Sequence, residues 1–166
     1  MHKLRILYST NGVWCASGYA TQAKAIAYGL LKAGFPIAHS AFFGLQGSPI
    51  ELDGLRIYPS YGDMWGVQAM KGHAQHWNAD VCMTYQDVWP MDHNETRSVK
   101  RWIAQVPIDT DPISPAVIER LTLAWKIVTI SQFGHDILKR AGFASTLIKC
   151  GVDLDIFCKK DKIKCR

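Results

Sequence analysis

Short apolar runs and stretches of helical spacing follow one another along this chain. The first run, Leu4 to Ser9, reads L-R-I-L-Y-S. It is too short for a helix, and its Ile, Leu and Tyr suit a buried strand. Beyond it, Ala20, Ala23, Ile26, Ala27, Leu30 and Leu31 recur on one helical face. Gly34 stands where a helix stops on a left-handed residue. The loop between holds Gly12 and Gly18, with Ser17 placed to cap the helix. A first strand feeding a glycine loop and a helix N-terminus is how α/β proteins build anion sites. Many such units only connect, so the loop alone decides nothing.

The alternation continues. Phe35 to Phe43 reads as a second strand, Gly44 to Gly54 as a loop, and Leu55 to Tyr58 as a short extra strand. Asp63 to Asn78 is a weaker helix: Asp63 can cap it, while Gly66 and Gly72 weaken it. Asp80 to Tyr85 is a third strand, Asp92 to Lys100 a helical turn, and Trp102 to Ile108 a fourth strand. Ser114-Pro115 opens a helix to about Trp125, with serine at the cap and proline in the first turn. Ile127 to Ile130 is a fifth strand, Ser131 caps a helix through Arg140, and Thr146 to Ile148 is a sixth strand. This order predicts an α/β fold: a Rossmann-like, doubly wound, mostly parallel sheet with helices on both faces. Strand-to-helix loops then gather at the carboxyl edge, where ligands bind.

Composition agrees with one globular domain, or one half of a two-domain protein. The chain has 166 residues, 48% hydrophobic and 20% charged. No apolar run has the length of a transmembrane segment, and M-H-K-L-R-I-L carries too short a run for a signal peptide. A cytoplasmic protein is expected. The net charge of +5 sits mostly in the tail, where Lys159, Lys160, Lys162, Lys164 and Arg166 face one acid, Asp161, for +4. The body is left at +1, which argues against nucleic acid as a partner. The five cysteines, Cys15, Cys82, Cys150, Cys158 and Cys165, form no C-x-x-C and read as reduced thiols. No metal site is expected; His73 and His76 read as surface histidines.

Four loops fall on the carboxyl edge: Asn11 to Ser17, Gln86 to Pro90, Asp109 to Pro112, and Ser131 to Phe133. Asp87, Asp109 and Asp111 are the candidate catalytic carboxylates, able to orient hydroxyls or act as bases. Trp14 and Trp89 could stack on a sugar ring, with Tyr19, Gln86, Ser131 and Gln132 as further candidate contacts. Each aspartate could instead hold a turn, and each tryptophan a place in the core. The glycines are spaced G-x5-G rather than G-x-G-x-x-G, and G-x-S-x-G and G-x-x-x-x-G-K-[ST] are absent. That spacing counts against a dinucleotide dehydrogenase.

The strand–glycine-loop–helix, I-S-Q-F at Ile130 to Phe133, and above all I-K-C-G-V-D-L-D-I-F at Ile148 to Phe157 resemble the N-terminal half of family 4 glycosyltransferases of the GT-B fold. Those enzymes carry an (I/V)-P-(N/H)-G-V-D-x-x-x-F run where the first domain hands over to the second. Gly151, Val152, Asp153 and Phe157 match it, while Lys149 and Cys150 replace the proline and the Asn or His.

The resemblance implies a retaining transfer of sugar from a nucleotide-sugar to an acceptor, in a cleft between two domains. No cofactor is implied beyond the nucleotide-sugar co-substrate, and no catalytic metal. Residues 1–150 would form the acceptor-side domain, with Gly12, Ser17 and Gly18 reaching toward the donor phosphates. Residues 151–166 would be the hinge, at Gly151, Val152 and Asp153, and a basic tail. The second Rossmann-like domain is expected to be absent, and this half to be inactive alone. Its open cleft face would invite that domain or self-association. The histidine often found after the family's third or fourth strand is missing; Gln86-Asp87 and Asp109-Thr110-Asp111 stand there. Two other readings stay open: a non-catalytic Rossmann-like module binding nucleotide, sugar or protein, and a different α/β enzyme sharing the hinge-like run.

Overall fold

A computed structural model describes residues 3–159. The strands are β1 (Ile6–Asn11), β2 (Ile37–Phe43), β3 (Ile50–Leu52), β4 (Leu55–Tyr58), β5 (Val81–Tyr85), β6 (Trp102–Val106), β7 (Lys126–Thr129) and β8 (Thr146–Leu147). The helices are α1 (Gly18–Lys32), α2 (Val67–Trp77), α3 (His93–Arg97), α4 (Pro115–Leu121) and α5 (Gln132–Arg140). The sheet runs β3-β4-β2-β1-β5-β6-β7-β8. Every pairing is parallel except β3 with β4. The fold is the expected Rossmann-like α/β type. From β1 the chain winds outward to β2 and β4, then returns to β5 on the other flank of β1. The reversal between β1 and β5 is the topological switch point, the crevice where such sheets take ligands.

Successive side chains of a strand face opposite ways, so the core splits into two. Leu7, Cys82, Trp102, Ala104 and Val106 point to one face, packed by Val67 and Met70 of α2, Leu121 of α4, and Ile137 and Leu138 of α5. Tyr8, Ile37, Ala41, Ile57 and Tyr85 point to the other, where α1 lies with Ala23 and Ala27. Those alanines are fully buried and let the helix sit close on the sheet. Trp102, the largest fully buried side chain, satisfies its indole by donating to Thr84 Oγ1 at 3.0 Å. Cys82 packs as a small hydrophobe, its thiol pushed up to about 12 by burial.

Several elements differ from expectation. Ile50–Leu52 was expected to be loop and is a strand, paired antiparallel to β4. Its turn is Asp53-Gly54, both at positive φ (48° and 79°), the geometry that closes a two-residue hairpin. All of β3 is exposed, so no burial pattern betrays it. α4 ends at Leu121 rather than near Trp125. The Trp125 amide donates to Trp102 O at 2.8 Å, so the chain is already aligning beside β6. Gly66 lies ahead of α2, not inside it. Its φ is 73°, and a Cβ there would stand 2.5 Å from Phe42 Cβ. Asp63 stands three residues ahead of the N-cap, Gly66, rather than at it, and braces the start of α2 from there: its carboxylate accepts from the amides of Trp65, Gly66 and Ala69. His73 is not a surface residue; it is 4% exposed.

Beyond β8, Cys150 and Gly151 stay exposed but come back alongside α1 and the end of β5. Gln22 Nε2 of α1 donates to Gly151 O at 3.0 Å, and Tyr85 Oη lies 3.5 Å from Cys150 Sγ. Val152, Leu154, Ile156 and Phe157 are exposed, in a turn closed by Phe157 N–H on Asp153 O. The basic tail beyond Lys159, with Cys165, lies outside the described residues. Among the described residues no helix is long and apolar enough to cross a membrane.

Candidate functional site

The switch point is built from both of its strands. Thr10 Oγ1 donates to Tyr85 O at 2.7 Å and ties the end of β1 to the end of β5. On the other flank the Gly12 amide donates to Phe43 O at 2.7 Å, just past a register shift between Thr10 and Asn11. A Cβ on Gly12 would stand 3.2 Å from that carbonyl and from the Trp14 ring. Ser17 caps α1 as expected: its Oγ accepts from the Ala20 amide at 3.1 Å and from Asn11 Nδ2 at 2.9 Å. Gly18 opens the helix with ordinary φ, and a Cβ there would meet nothing within 4 Å. The fold does not need this glycine. Its bare side leaves room beside the first turn of α1, where Ser17 takes the Ala20 amide and the amides ahead of it have no intrahelical acceptor.

Tyr19, one residue further, joins the two loops by donating from its Oη to Asp87 Oδ2 at 3.2 Å. Burial, and then the negative charge of Asp87 and of Asp109, push the Tyr19 hydroxyl well above its ordinary value. It therefore stays a phenol and a donor. The Tyr19 ring packs edge-on against Tyr85 at 4.9 Å. Beside this pair a cavity of about 310 Å³ is lined by Tyr19, Phe42, Trp65, Gln86 and Asp87. Gln86 is 4% exposed; its Nε2 donates to Trp65 O at 3.2 Å, and its Oε1 has no partner. Trp89 and Trp65 stand 6.0 Å apart at the rim, tilted by 55°. Asp109 is exposed but shares a small cavity of about 50 Å³ with Asp87 and Trp89.

The loop also rests on His39, fully buried on β2. Its Nδ1 faces Tyr8 O at 3.0 Å and its Nε2 faces Asn11 O at 3.1 Å. Both carbonyls favour a proton on the ring. Burial opposes it and dominates, pulling the imidazole down to about 4.

The remaining sequence candidates lie elsewhere. Asp111 is exposed and ion-paired with Arg140 of α5. Ser131 caps α5, accepting from the Gly134 amide at 3.0 Å, and exposed Gln132 donates to Asp136 Oδ1 at 2.9 Å. Trp14 leans on the end of β2, its indole donating to Gly44 O at 3.2 Å. Of the hinge residues, Gly151 touches α1 through Gln22, while Val152 and Asp153 face solvent. Sequence reasoning missed Phe42, Met64 and Trp65 as cavity walls. The signal was present in Met64-Trp65, an apolar pair just before a capped helix. Only the strand order, with β2 beside β1, says that this loop reaches the switch point.

The arrangement can hold a hydroxyl-bearing ring against Trp65 while Asp87, fixed by Tyr19, accepts a hydrogen bond from it. It can also place a negative group at the bare side of Gly18. Among the described residues no group of three or more His, Cys, Asp or Glu is placed to hold a metal.

No family model and no curated protein matches the sequence. Solved structures do match. Sucrose-phosphate synthase from Thermosynechococcus elongatus aligns with a TM-score of 0.58 and 13% identity, over 92% of this chain and 92% of that one. The Bordetella bronchiseptica enzyme WbmG, solved with NAD and UDP, aligns with a TM-score of 0.44 and 14% identity. It covers 78% of this chain and 53% of its own, a likeness too loose to carry an argument. Strand order and alignment together show that this chain shares the Rossmann-like α/β fold of that sucrose-phosphate synthase structure.

Proposed function

We propose that the chain is the acceptor-side domain of a retaining family 4 glycosyltransferase of the GT-B fold. The observation that carries the reading is the Tyr19–Asp87 hydrogen bond at the switch point, beside a cavity with an aromatic wall. The likeness to sucrose-phosphate synthase supports it at the level of fold. In this reading Asp87 orients the acceptor hydroxyl and accepts its hydrogen bond, Tyr19 holds Asp87, and Asp109 adds negative charge nearby. Trp65 and Trp89 present ring faces to the acceptor. Gly12, Ser17 and Gly18 shape the loop that approaches the donor phosphates. Gly151, Val152 and Asp153 form the hinge to a second Rossmann-like domain that holds the nucleotide-sugar. Asp111, Ser131, Gln132 and Trp14 are assigned secondary parts, since each already has a local partner or a distant place.

Catalysis in a two-walled cleft depends on placing donor and acceptor together. The chain alone is therefore a poor transferase. The test is sugar transfer from a panel of nucleotide-sugars, with this chain alone and with a second α/β domain carrying an E-x7-E run from the same or a neighbouring reading frame. Transfer is expected only with both. Efficient transfer by the chain alone refutes its inactivity, and tight nucleotide binding without a partner domain favours a binding module.

A further inference from the structure

The loop between β4 and α2 separates two cavities. One is the switch-point cavity, walled by Met64 and Trp65. The other, of about 380 Å³, lies between Tyr58, Tyr61 and the α2 residues Gln68, His73 and His76. Both volumes suit small-ligand sites. The same loop serves both, and its large side chains are exposed: Tyr61 by 63% and Met64 by 74%. Tyr61 is also held at φ 53°, a left-handed angle unfavourable for a bulky residue, with its ring 5.5 Å from that of His73. Asp63, bonded to three amides, keeps the loop in place. A strained aromatic residue on a firmly tied loop is a feature of binding sites rather than of packing.

Each cavity also borders a buried group with unmet hydrogen-bonding capacity. In the first it is Gln86 Oε1. In the second it is Nε2 of His73, whose Nδ1 pairs with Ser40 Oγ at 2.9 Å. Both atoms are themselves buried, so a ligand hydroxyl would meet them only as the side chain turns toward its cavity. Charge narrows the ligand. No lysine or arginine lines either cavity among the described residues, and Asp87 is the one formal charge. Burial keeps His73 neutral, pulling it down to about 4. A phosphate would meet no cation there. Aromatic faces beside neutral hydrogen-bonding groups suit sugar rings.

We infer that the acceptor is a neutral oligosaccharide: one ring lies at Trp65 and Gln86, the chain crosses the loop, and a further ring lies at Tyr61 and His76. The inference rests on the glycosyltransferase reading above and names its acceptor. The test is calorimetric titration of the chain with glucose, maltose, maltotriose and maltotetraose, and with N-acetylglucosamine and its chito-oligomers. Affinity is expected to rise about tenfold from one ring to three or four in at least one series. Tyr61→Gly, which relieves the backbone, should abolish the rise and keep single-ring binding; Tyr61→Phe should keep both. Equal affinity at all lengths, or a rise that survives Tyr61→Gly, overturns the oligosaccharide acceptor. So does a failure of every neutral sugar to bind. The transferase reading is judged separately, by nucleotide-sugar turnover with the second domain present.

Discussion

The loops after β1 and β5 are joined to each other by a hydrogen bond, while polar side chains after β6 and β7 are taken up by α5. In the first corner Tyr19 reaches from α1 to Asp87, and Gln86 keeps an oxygen unpaired beside a cavity. In the second, Ser131 is occupied by the Gly134 amide, Gln132 by Asp136, and Asp111 by Arg140. Both corners carry aspartates and a helix N-terminus at the carboxyl edge. What separates them is strand order: the winding reverses between β1 and β5, so only there do neighbouring loops part and leave a crevice.

The sharpest way to break this comparison is to remove one carboxylate from each corner. In the proposed two-domain transferase, Asp87→Asn should lower transfer about 100-fold or more, the scale of a lost acid–base or orienting group. Asp111→Asn should change turnover less than about twofold, because an exposed ion pair is worth little. Steady-state rates on both variants decide it.

Acid should weaken the first corner through His39. Folded, its pKa is about 4; unfolded, about 6.5. Above pH 6.5 the ring is neutral in both states, and its contribution to stability is complete. As pH falls from about 6.5 toward 4, only the unfolded chain takes up the proton, and stability declines by on the order of 3 kcal/mol. His73, shifted the same way, adds to the decline. Urea melts across this range should show the slope, and His39→Asn should reduce it.

The glycines sharpen the contrast further. A Cβ at Gly134, in the second corner, would stand 2.5 Å from Thr129 Oγ1 and 3.1 Å from Ile108 Cβ. Gly134→Ala should cost about 1–3 kcal/mol in thermal melts. Gly18→Ala, with open space and ordinary φ, should leave stability within about 0.5 kcal/mol or raise it slightly. If donor phosphates approach this amide, the same methyl should still weaken nucleotide-sugar use by the two-domain enzyme. A variant with unchanged stability and turnover would remove Gly18 from the site.

Much of this was legible in the chain. Ser17, Asp63, Asp92 and Ser131 announced helix starts, and each accepts from an amide in or just ahead of its helix's first turn. The buried strands showed as apolar runs. β3 did not, because its three residues face solvent and are held only by pairing to β4. The site was half legible. Asp87 and Gln86 could be placed after a strand, but their partners come from segments far away in sequence. Tyr19 lies 68 residues from Asp87, and Trp65 lies 21 from Gln86. His73 was misplaced because histidines three apart on a weak helix give no sign of which one turns inward. Its burial follows from Ser40 on β2, a pairing that only the assembled sheet creates.

The most direct measurement of the central claim is a set of amide and indole NMR spectra of the labelled chain, titrated with neutral oligosaccharides and with nucleotide-sugars. Shifts are expected at residues 12–19 and 86–89 and at the Trp65 and Trp89 indoles, with the amides of Asp111, Ser131 and Gln132 unmoved. Shifts centred on those last three residues, or spectra unchanged by every sugar, would contradict the assignment of the working corner to the β1–β5 switch point.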